Sequence, residues 1–208
     1  MKVYFHYCTY GFSNCYILGT DIAPDNSQRD CIIVDPGCMD EKILRFIETN
    51  SYAVRGILVT HDHQNHVHGI RTLKKIYETE VYGINHIVCD HRTNIVRDGD
   101  SIPIGPFTVQ VFSIPGHSSD SAVYRIDRIL CTGDALSAGL VGSTASSYGT
   151  TIQAAAIRIK LFSLPGDYAV LPGHGPPSTL EAERRFNVGL EQSEKVQAQR
   201  VSFAREIW

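Results

Sequence analysis

Residues 60–69 read Thr-His-Asp-His-Gln-Asn-His-Val-His-Gly, and four of the chain's nine histidines, His61, His63, His66 and His68, fall inside that stretch. Imidazole is the commonest protein ligand to zinc and related ions, so four imidazoles on one turn point to metal chemistry. At an extended strand end, residues two apart send their side chains to one side. His61 and His63 therefore face together, while Asp62 and Gln64 face away. Asn65 continues the inward series, His66 opens a turn that brings its ring back, and Gly69 permits a close passage of the chain. The isolated His6, His86 and His91 are read as satisfied or solvent-facing side chains without a role.

Such rings need rigid elements behind them. β-Branched and aromatic content marks residues 2–8, 14–19, 31–34 and 54–59 as strands. Between the last two, residues 40–50 carry Ile43, Leu44 and Ile47 at helical spacing after an acidic first turn. The histidine cluster opens directly after an apolar strand, and a helix over about 67–78 is expected to follow it. Residues 107–114 alternate cleanly and end in Pro115-Gly116-His117; residues 121–126 and 129–132 read as a hairpin turning at Asp127-Arg128 and ending in Gly133-Asp134. A Gly/Ser/Ala-rich loop, 137–149, precedes a helix at about 150–162, and a strand at 168–171 runs into Pro172-Gly173-His174. Ser178 with Glu181 reads as a capping box for a last helical segment running nearly to Trp208. Polar residues thus recur at strand ends, where loops on a rigid scaffold carry sites.

A chain of 208 residues, 43% hydrophobic and 20% charged, is expected to form a single domain spanning 1–208, of mixed α and β structure. Its apolar runs are too short to span a bilayer. The N-terminal stretch alternates apolar and polar residues and lacks the continuous apolar run of a signal peptide, so a cytoplasmic location is expected. The net charge is −3 and the basic residues are scattered, which argues against nucleic acid or a membrane as partner and for a small-molecule substrate. The six cysteines form no CxxC pair. Cys31 and Cys131 read as small hydrophobes within strands, and Cys38, just past Asp35-Pro36-Gly37, is likewise assigned to burial or chance.

Five segments occur in order: VDPG from Val34, THDHQNH from Thr60, PGHS from Pro115, CTGDAL from Cys131 and PGHGPPST from Pro172. Together they resemble the motifs of the metallo-β-lactamase superfamily. The resemblance implies an α+β fold, a four-layer αβ/βα sandwich with a metal site at one edge of its two sheets. It implies His61, His63 and His117 on a first metal, His66 and His174 on a second, Asp134 bridging, and Asp35 bracing the histidine loop. His68 has no place in the pattern. The stretches CTGDALSAGLVGST and LPGHGPPSTLEAERRFN are similar to the small glyoxalase II-like branch, which hydrolyses thioesters of the S-lactoylglutathione type. No counterpart of the helical glutathione-holding domain of the full-length enzymes is expected after His174.

The chain departs from the pattern at three places. Asn65 stands where the superfamily usually has Asp, a ligand to the second metal; a neutral amide leaves one more positive charge uncompensated and is a weaker donor. One tightly held Zn²⁺ and a second that is weak or absent are therefore expected, with Fe²⁺ or Mn²⁺ as other candidates. The loop reading Gly142-Ser143-Thr144-Ala145 lacks the branch's usual arginine, which weakens the case for glutathione recognition. After His117 the chain reads Ser118-Ser119-Asp120-Ser121, and Asp120 is expected to take a left-handed backbone in place of glycine. Ser143 and Tyr148 are the expected pocket wall. The leading expectation is a hydrolase of small thioesters or esters that acts through a metal-bound hydroxide, with Asp134 catalytic. The alternatives are a mononuclear iron persulfide dioxygenase and a non-catalytic metal-binding member of the fold.

Overall fold

Val34 and Leu58 end two neighbouring parallel strands, and the residues after them, Asp35 and Thr60, come to lie side by side. The structure, a computed structural model, describes residues 1–21 and 28–191. Its first half runs β1 (Lys2–Tyr7), β2 (Asn14–Gly19), β3 (Arg29–Val34), α1 (Glu41–Thr49), β4 (Tyr52–Leu58), α2 (Gln64–Val67), α3 (Ile70–Ile76) and β5 (Glu80–Gly83), then the short β6 (Ile87–Val88), β7 (His91–Arg92) and β8 (Asn94–Ile95). The second half runs β9 (Ser101–Ile104), β10 (Phe107–Ser113), β11 (Ala122–Ile126), β12 (Ile129–Gly133), β13 (Leu136–Ser137), β14 (Leu140–Val141), α4 (Ser147–Ala156), a π-helical segment (Ile157–Phe162), β15 (Ala169–Pro172), β16 (Ser178–Thr179) and α5 (Leu180–Phe186). One sheet has the order β1-β2-β3-β4-β5-β8 and the other β16-β15-β12-β11-β10-β9.

The alternation of side chains along each strand builds the layers. On one face of the first sheet, Ile17, Cys31, Ile33 and Ile57 pack with Ile43 and Ile47 of α1 and Ile70 and Leu73 of α3. On its other face, Tyr16, Leu18, Ile32, Val34 and Leu58 meet Val109, Val111, Tyr124 and Cys131 of the second sheet. The outer face of that sheet, with Val123, Leu130 and Val170, is covered by Ile157, Leu161 and Leu180. Both sheets are thus buried on both faces, which is why strands such as β2 and β3 read as nearly unbroken apolar runs. The result is the expected four-layer αβ/βα sandwich. Cys31 and Cys131 are fully buried in it.

The two sheets are stitched together at one edge. Ala122 donates its amide to the Thr60 carbonyl (2.7 Å) and Asn14 its amide to the Gly173 carbonyl (2.7 Å). The Tyr124 hydroxyl donates to the Val59 carbonyl (2.7 Å), and the Tyr16 hydroxyl and the Asn14 amide both donate to the Pro172 carbonyl (2.8 and 2.9 Å). These bonds fix the end of β4 against β11 and β2 against the end of β15, where the candidate ligands begin.

Several element boundaries differ from the sequence reading. The helix expected over 67–78 is broken into α2 and α3 at Gly69, which passes so close to the Pro36 and Cys38 backbone that a Cβ would have no room. The helix expected from about 150 starts earlier, capped by Ser146, whose hydroxyl accepts from the Gly149 amide, and its last six residues are π-helical. Thr179, not Ser178, caps the last helix: its hydroxyl accepts from the Ala182 amide (3.2 Å), while Ser178 donates to Glu183 instead. That helix stops at Phe186 and helical structure resumes over 188–191; the rest of the expected segment lies outside the described residues. The loop expected over 137–149 contains the small β13–β14 hairpin. No helix among the described residues is long and apolar enough to cross a membrane.

Candidate metal centre

The histidine loop leaves β4 against a buried carboxylate. Asp35 is 2% exposed, at a backbone φ of 48°, and accepts hydrogen bonds from the Thr60 amide (2.8 Å), the Thr60 hydroxyl (2.5 Å) and His66 Nδ1 (3.1 Å). Because the Thr60 hydroxyl spends its proton on Asp35, its lone pair faces His61 Nδ1 at 3.1 Å and accepts from it. His61 and His66 therefore both carry a proton on Nδ1, with Nε2 turned inward. His117 is set the same way: its Nδ1 donates to the Ser143 carbonyl at 2.8 Å. Fixing one ring nitrogen so that the other is free is how proteins aim imidazole at a metal.

The freed nitrogens converge on one oxygen. Asp134 Oδ2 lies 3.9 Å from His61 Nε2, 3.7 Å from His66 Nε2 and 3.5 Å from His117 Nε2. His63 brings Nδ1 to 3.2 Å from His117 Nε2, and His174 places Nδ1 2.8 Å from Asp134 Oδ1. Two neighbouring groups of donors result, His61–His63–His117 and His66–Asp134–His174, each with its ligand atoms within 4.8 Å of one another. Two glycines make the crowding possible. A Cβ on Gly173 would stand against Asp134 Oδ1 and His66 Cε1, and one on Gly142 against the Asp134 backbone.

Burial and charge set the protonation of these groups. Burial pushes His61 down to about 4, with His66 adding to the effect, and burial followed by His117 lowers His63. Burial also pushes on His66, but the neighbouring Asp134 and Asp35 carboxylates outweigh it and raise that imidazole to about 10. The Asp134 carboxylate pulls His174 up. Burial works against Asp134 itself, yet His174 and His66 hold it well below the usual carboxylate range. The ion-free centre is therefore an anion at Asp134 balanced by protonated His66, beside a pair of neutral imidazoles.

Two of these atoms are left without a partner in the protein. His61 Nε2 and His66 Nε2 are buried and without a hydrogen-bond partner. A buried polar atom left unpaired is costly, and here both point at an anionic oxygen across a gap too long for a hydrogen bond. Imidazoles and a carboxylate so arranged suit a divalent ion such as zinc, iron or manganese. The family model described as the metallo-beta-lactamase superfamily matches residues 8–174. The chain belongs to that superfamily. It is 33% identical over 177 residues to a hydroxyacylglutathione hydrolase of Marinomonas sp., an alignment spanning 84% of this chain and 66% of that one. Among solved structures it resembles BLEG-1 B3 metallo-beta-lactamase (TM-score 0.79, 25% identity, 91% of this chain and 99% of that one) and ETHE1 from Myxococcus xanthus (TM-score 0.74, 25% identity, 90% and 83%).

The remaining residues singled out in the sequence fall on either side of this superfamily pattern. Asn65 stands 3.0 Å from His174, its amide nitrogen donating to Nε2 while His174 Nδ1 donates to Asp134. Asp62 faces outward and His68 lies outside both donor groups, stacked on Tyr10 at 4.4 Å. Ser143 meets the centre through its main-chain carbonyl, and its side chain is exposed, as is Tyr148 (74%). Asp120 is not left-handed as expected. Its carboxylate instead receives the Asp62 amide (2.9 Å), the Asn85 side chain (2.8 Å) and the Ser118 hydroxyl, tying the His117 loop to the His61–His63 turn. Thr60 and Ser13, whose hydroxyl donates to the Asn65 carbonyl (2.5 Å), were not singled out; a threonine ending an apolar strand was the one available signal.

Two outcomes follow from this geometry. Thr60→Val removes the acceptor for His61 Nδ1 and is expected to weaken metal affinity about 10–100-fold with the fold retained. Competition with a chromogenic chelator measures this, and unchanged affinity would show that His61 is aimed by something else. The raised His66 binds a proton that an ion must displace, whereas the lowered His61 and His63 do not. Between about pH 6 and 8, entry into the His66–Asp134–His174 group should tighten with pH, by roughly tenfold per unit for each proton displaced, and entry into the other group should vary little. Calorimetry in buffers of different ionisation enthalpy counts those protons.

Proposed function

We propose that the protein is a divalent-metal-dependent hydrolase of small thioesters or esters. The observation that carries this reading is the convergence of His61, His66 and His117 Nε2 on Asp134 Oδ2, with two of the three nitrogens buried and unpaired. His61, His63 and His117 would hold the tight ion, Zn²⁺ by preference. His66 and His174 would share a weaker one across Asp134. A divalent ion in this position supplies a Lewis acid for an acyl carbonyl and lowers the pKa of a water it holds to about 7. Around it, Asp134 offers Oδ2 as acceptor for the attacking water, and its low pKa keeps it anionic and able to do so. The lowered His61 and His63 offer lone pairs rather than protons, which leaves the raised His66 and His174, on the other side of Asp134, as the groups that could protonate a departing atom. A thiolate, whose conjugate acid has a pKa of about 8.5, leaves without such help, and an amine does not. The sequence relation to a hydroxyacylglutathione hydrolase supports the same substrate class.

Asn65 supports a centre in which a single ion suffices. Its amide N–H occupies the His174 Nε2 lone pair that a second ion would need, and it brings no negative charge. The substrate would lie over the loop carrying Ser143 and Tyr148, as a small molecule rather than a nucleic acid or a membrane.

Purified protein should hydrolyse a chromogenic thioester when Zn²⁺, Mn²⁺ or Fe²⁺ is supplied, and His117→Ala and Asp134→Ala should lose at least about 10²-fold in kcat/KM. Turnover indifferent to both variants, or none with any ester or thioester, would reject the proposal; iron-dependent oxygen uptake with a persulfide would favour the dioxygenase reading instead. Elemental analysis of protein prepared without added metal should give one ion per chain, rising towards two in Asn65→Asp. Two ions in both would show that Asn65 does not limit loading.

A further inference from the structure

His6, read from the sequence as an ordinary isolated histidine, is 6% exposed and does not sit alone. Along β1, residues 4, 6 and 8 share the inner face, and the β1–β2 register puts Cys15 directly opposite His6. The loop from Asp35 returns Cys38 to the same place. His6 Nε2 lies 3.8 Å from Cys38 Sγ and 2.9 Å from Asp40 Oδ2, and the ligand atoms of His6, Cys8 and Cys38 all fall within 4.8 Å of one another. Asp40 caps α1 with its other oxygen, Oδ1, which accepts the Lys42 and Ile43 amides (3.0 and 3.1 Å), so Oδ2 stays directed at His6.

We propose that His6, Cys8 and Cys38 form a second, separate zinc site, with Asp40, which touches His6, reaching in as the fourth ligand. Two thiolates, an imidazole and a carboxylate are a closed tetrahedral donor set for this borderline-soft ion. With ordinary Zn–N and Zn–S bond lengths, a tetrahedral ion separates a nitrogen from a sulfur by about 3.6 Å, close to the spacing found here. Cys8 is fully buried and Cys38 partly so, while Asp40 is 44% exposed and marks the route of entry.

The site is distinct from the histidine centre but clips the base of one of its walls. Between Cys8 and Cys15 the chain carries Tyr10, stacked on His68, Gly11, whose carbonyl lies 3.4 Å from His174 Nε2, and Ser13, which holds the Asn65 carbonyl. Cys38 belongs to the loop that carries Asp35. An ion joining Cys8 to Cys38 would tie both segments to β1.

Cobalt(II) titrated anaerobically into the full, fully reduced chain tests this directly. A thiolate ligand gives a sulfur-to-cobalt charge-transfer band in the near ultraviolet, and the histidine centre, having only nitrogen and oxygen donors, gives none. The band is expected in the wild type and in His117→Ala, and its loss is expected in Cys38→Ser. As a second measure, Zn²⁺ should protect the partly exposed Cys38 of the unmutated chain from alkylation, read by mass spectrometry of peptides. Saturation with cobalt but no sulfur band, a band undiminished in Cys38→Ser, or alkylation indifferent to Zn²⁺ would each overturn the proposal. Because His117→Ala disables only the histidine centre, failure of the hydrolase reading leaves this result unaffected.

Discussion

A carboxylate sealed from water governs the histidine loop. Asp35 is tolerable in the interior only because three donors meet it, and two of them come from Thr60 alone. Those bonds do more than satisfy a buried group. The Thr60 hydroxyl, committed to Asp35, determines which nitrogen of His61 is free, and the third donor determines the same for His66. Parallel pairing of β3 with β4 is what brings Asp35 and Thr60 together, so the aim of two ligands traces back to strand register. The left-handed backbone at Asp35 is held by that packing and by its amide bond to the Leu58 carbonyl (3.0 Å).

The electrostatics of the centre follow from a scarcity of negative charge. Asp134 is the one carboxylate in the two donor groups, and it must serve nitrogen atoms from four histidines. Without an ion, a protonated His66 supplies the balance. Asn65, neutral and already engaged with His174, cannot share the task. The contrast with the cysteine cluster is chemical: nitrogen and oxygen make up the two donor groups around Asp134, while sulfur is confined to the group of His6, Cys8 and Cys38.

What could be read in the sequence was whatever depended on residue type at short range. His61 and His63 declared themselves by spacing, and the motifs at Asp35, His117, Asp134 and His174 by their order, so the sandwich and its site edge were both visible. Thr60, Ser13 and Asp120 were not, because each matters through a partner that only the fold supplies: Ser13 meets Asn65 from 52 residues away, and Asp120 meets Asp62 from 58. Asp120 also shows how a local argument misleads, since backbone tolerance suggested a turn where the side chain acts as a tie. His6 and Cys38 were dismissed one at a time for the same reason, their meeting being invisible until β1 and the Asp35 loop are placed. The helix boundaries failed where packing overrides propensity, as at Gly69 against the Pro36 and Cys38 backbone.

The stitching between Asn14 near the start of the chain and Pro172 to Gly175 near its end has a kinetic meaning. Asn14 reaches the carbonyls of Pro172 and Gly175 across 158 and 161 residues, and each half of the chain contributes ligands that lie apart until those bonds form. Contacts of such long range demand loop closure before they repay it, which makes their formation a late and slow event. The first half alone therefore holds only part of the candidate donor set, and His117, Asp134 and His174 join it only with the docking of the two halves. Occupation of the full candidate centre would be a report that folding is complete.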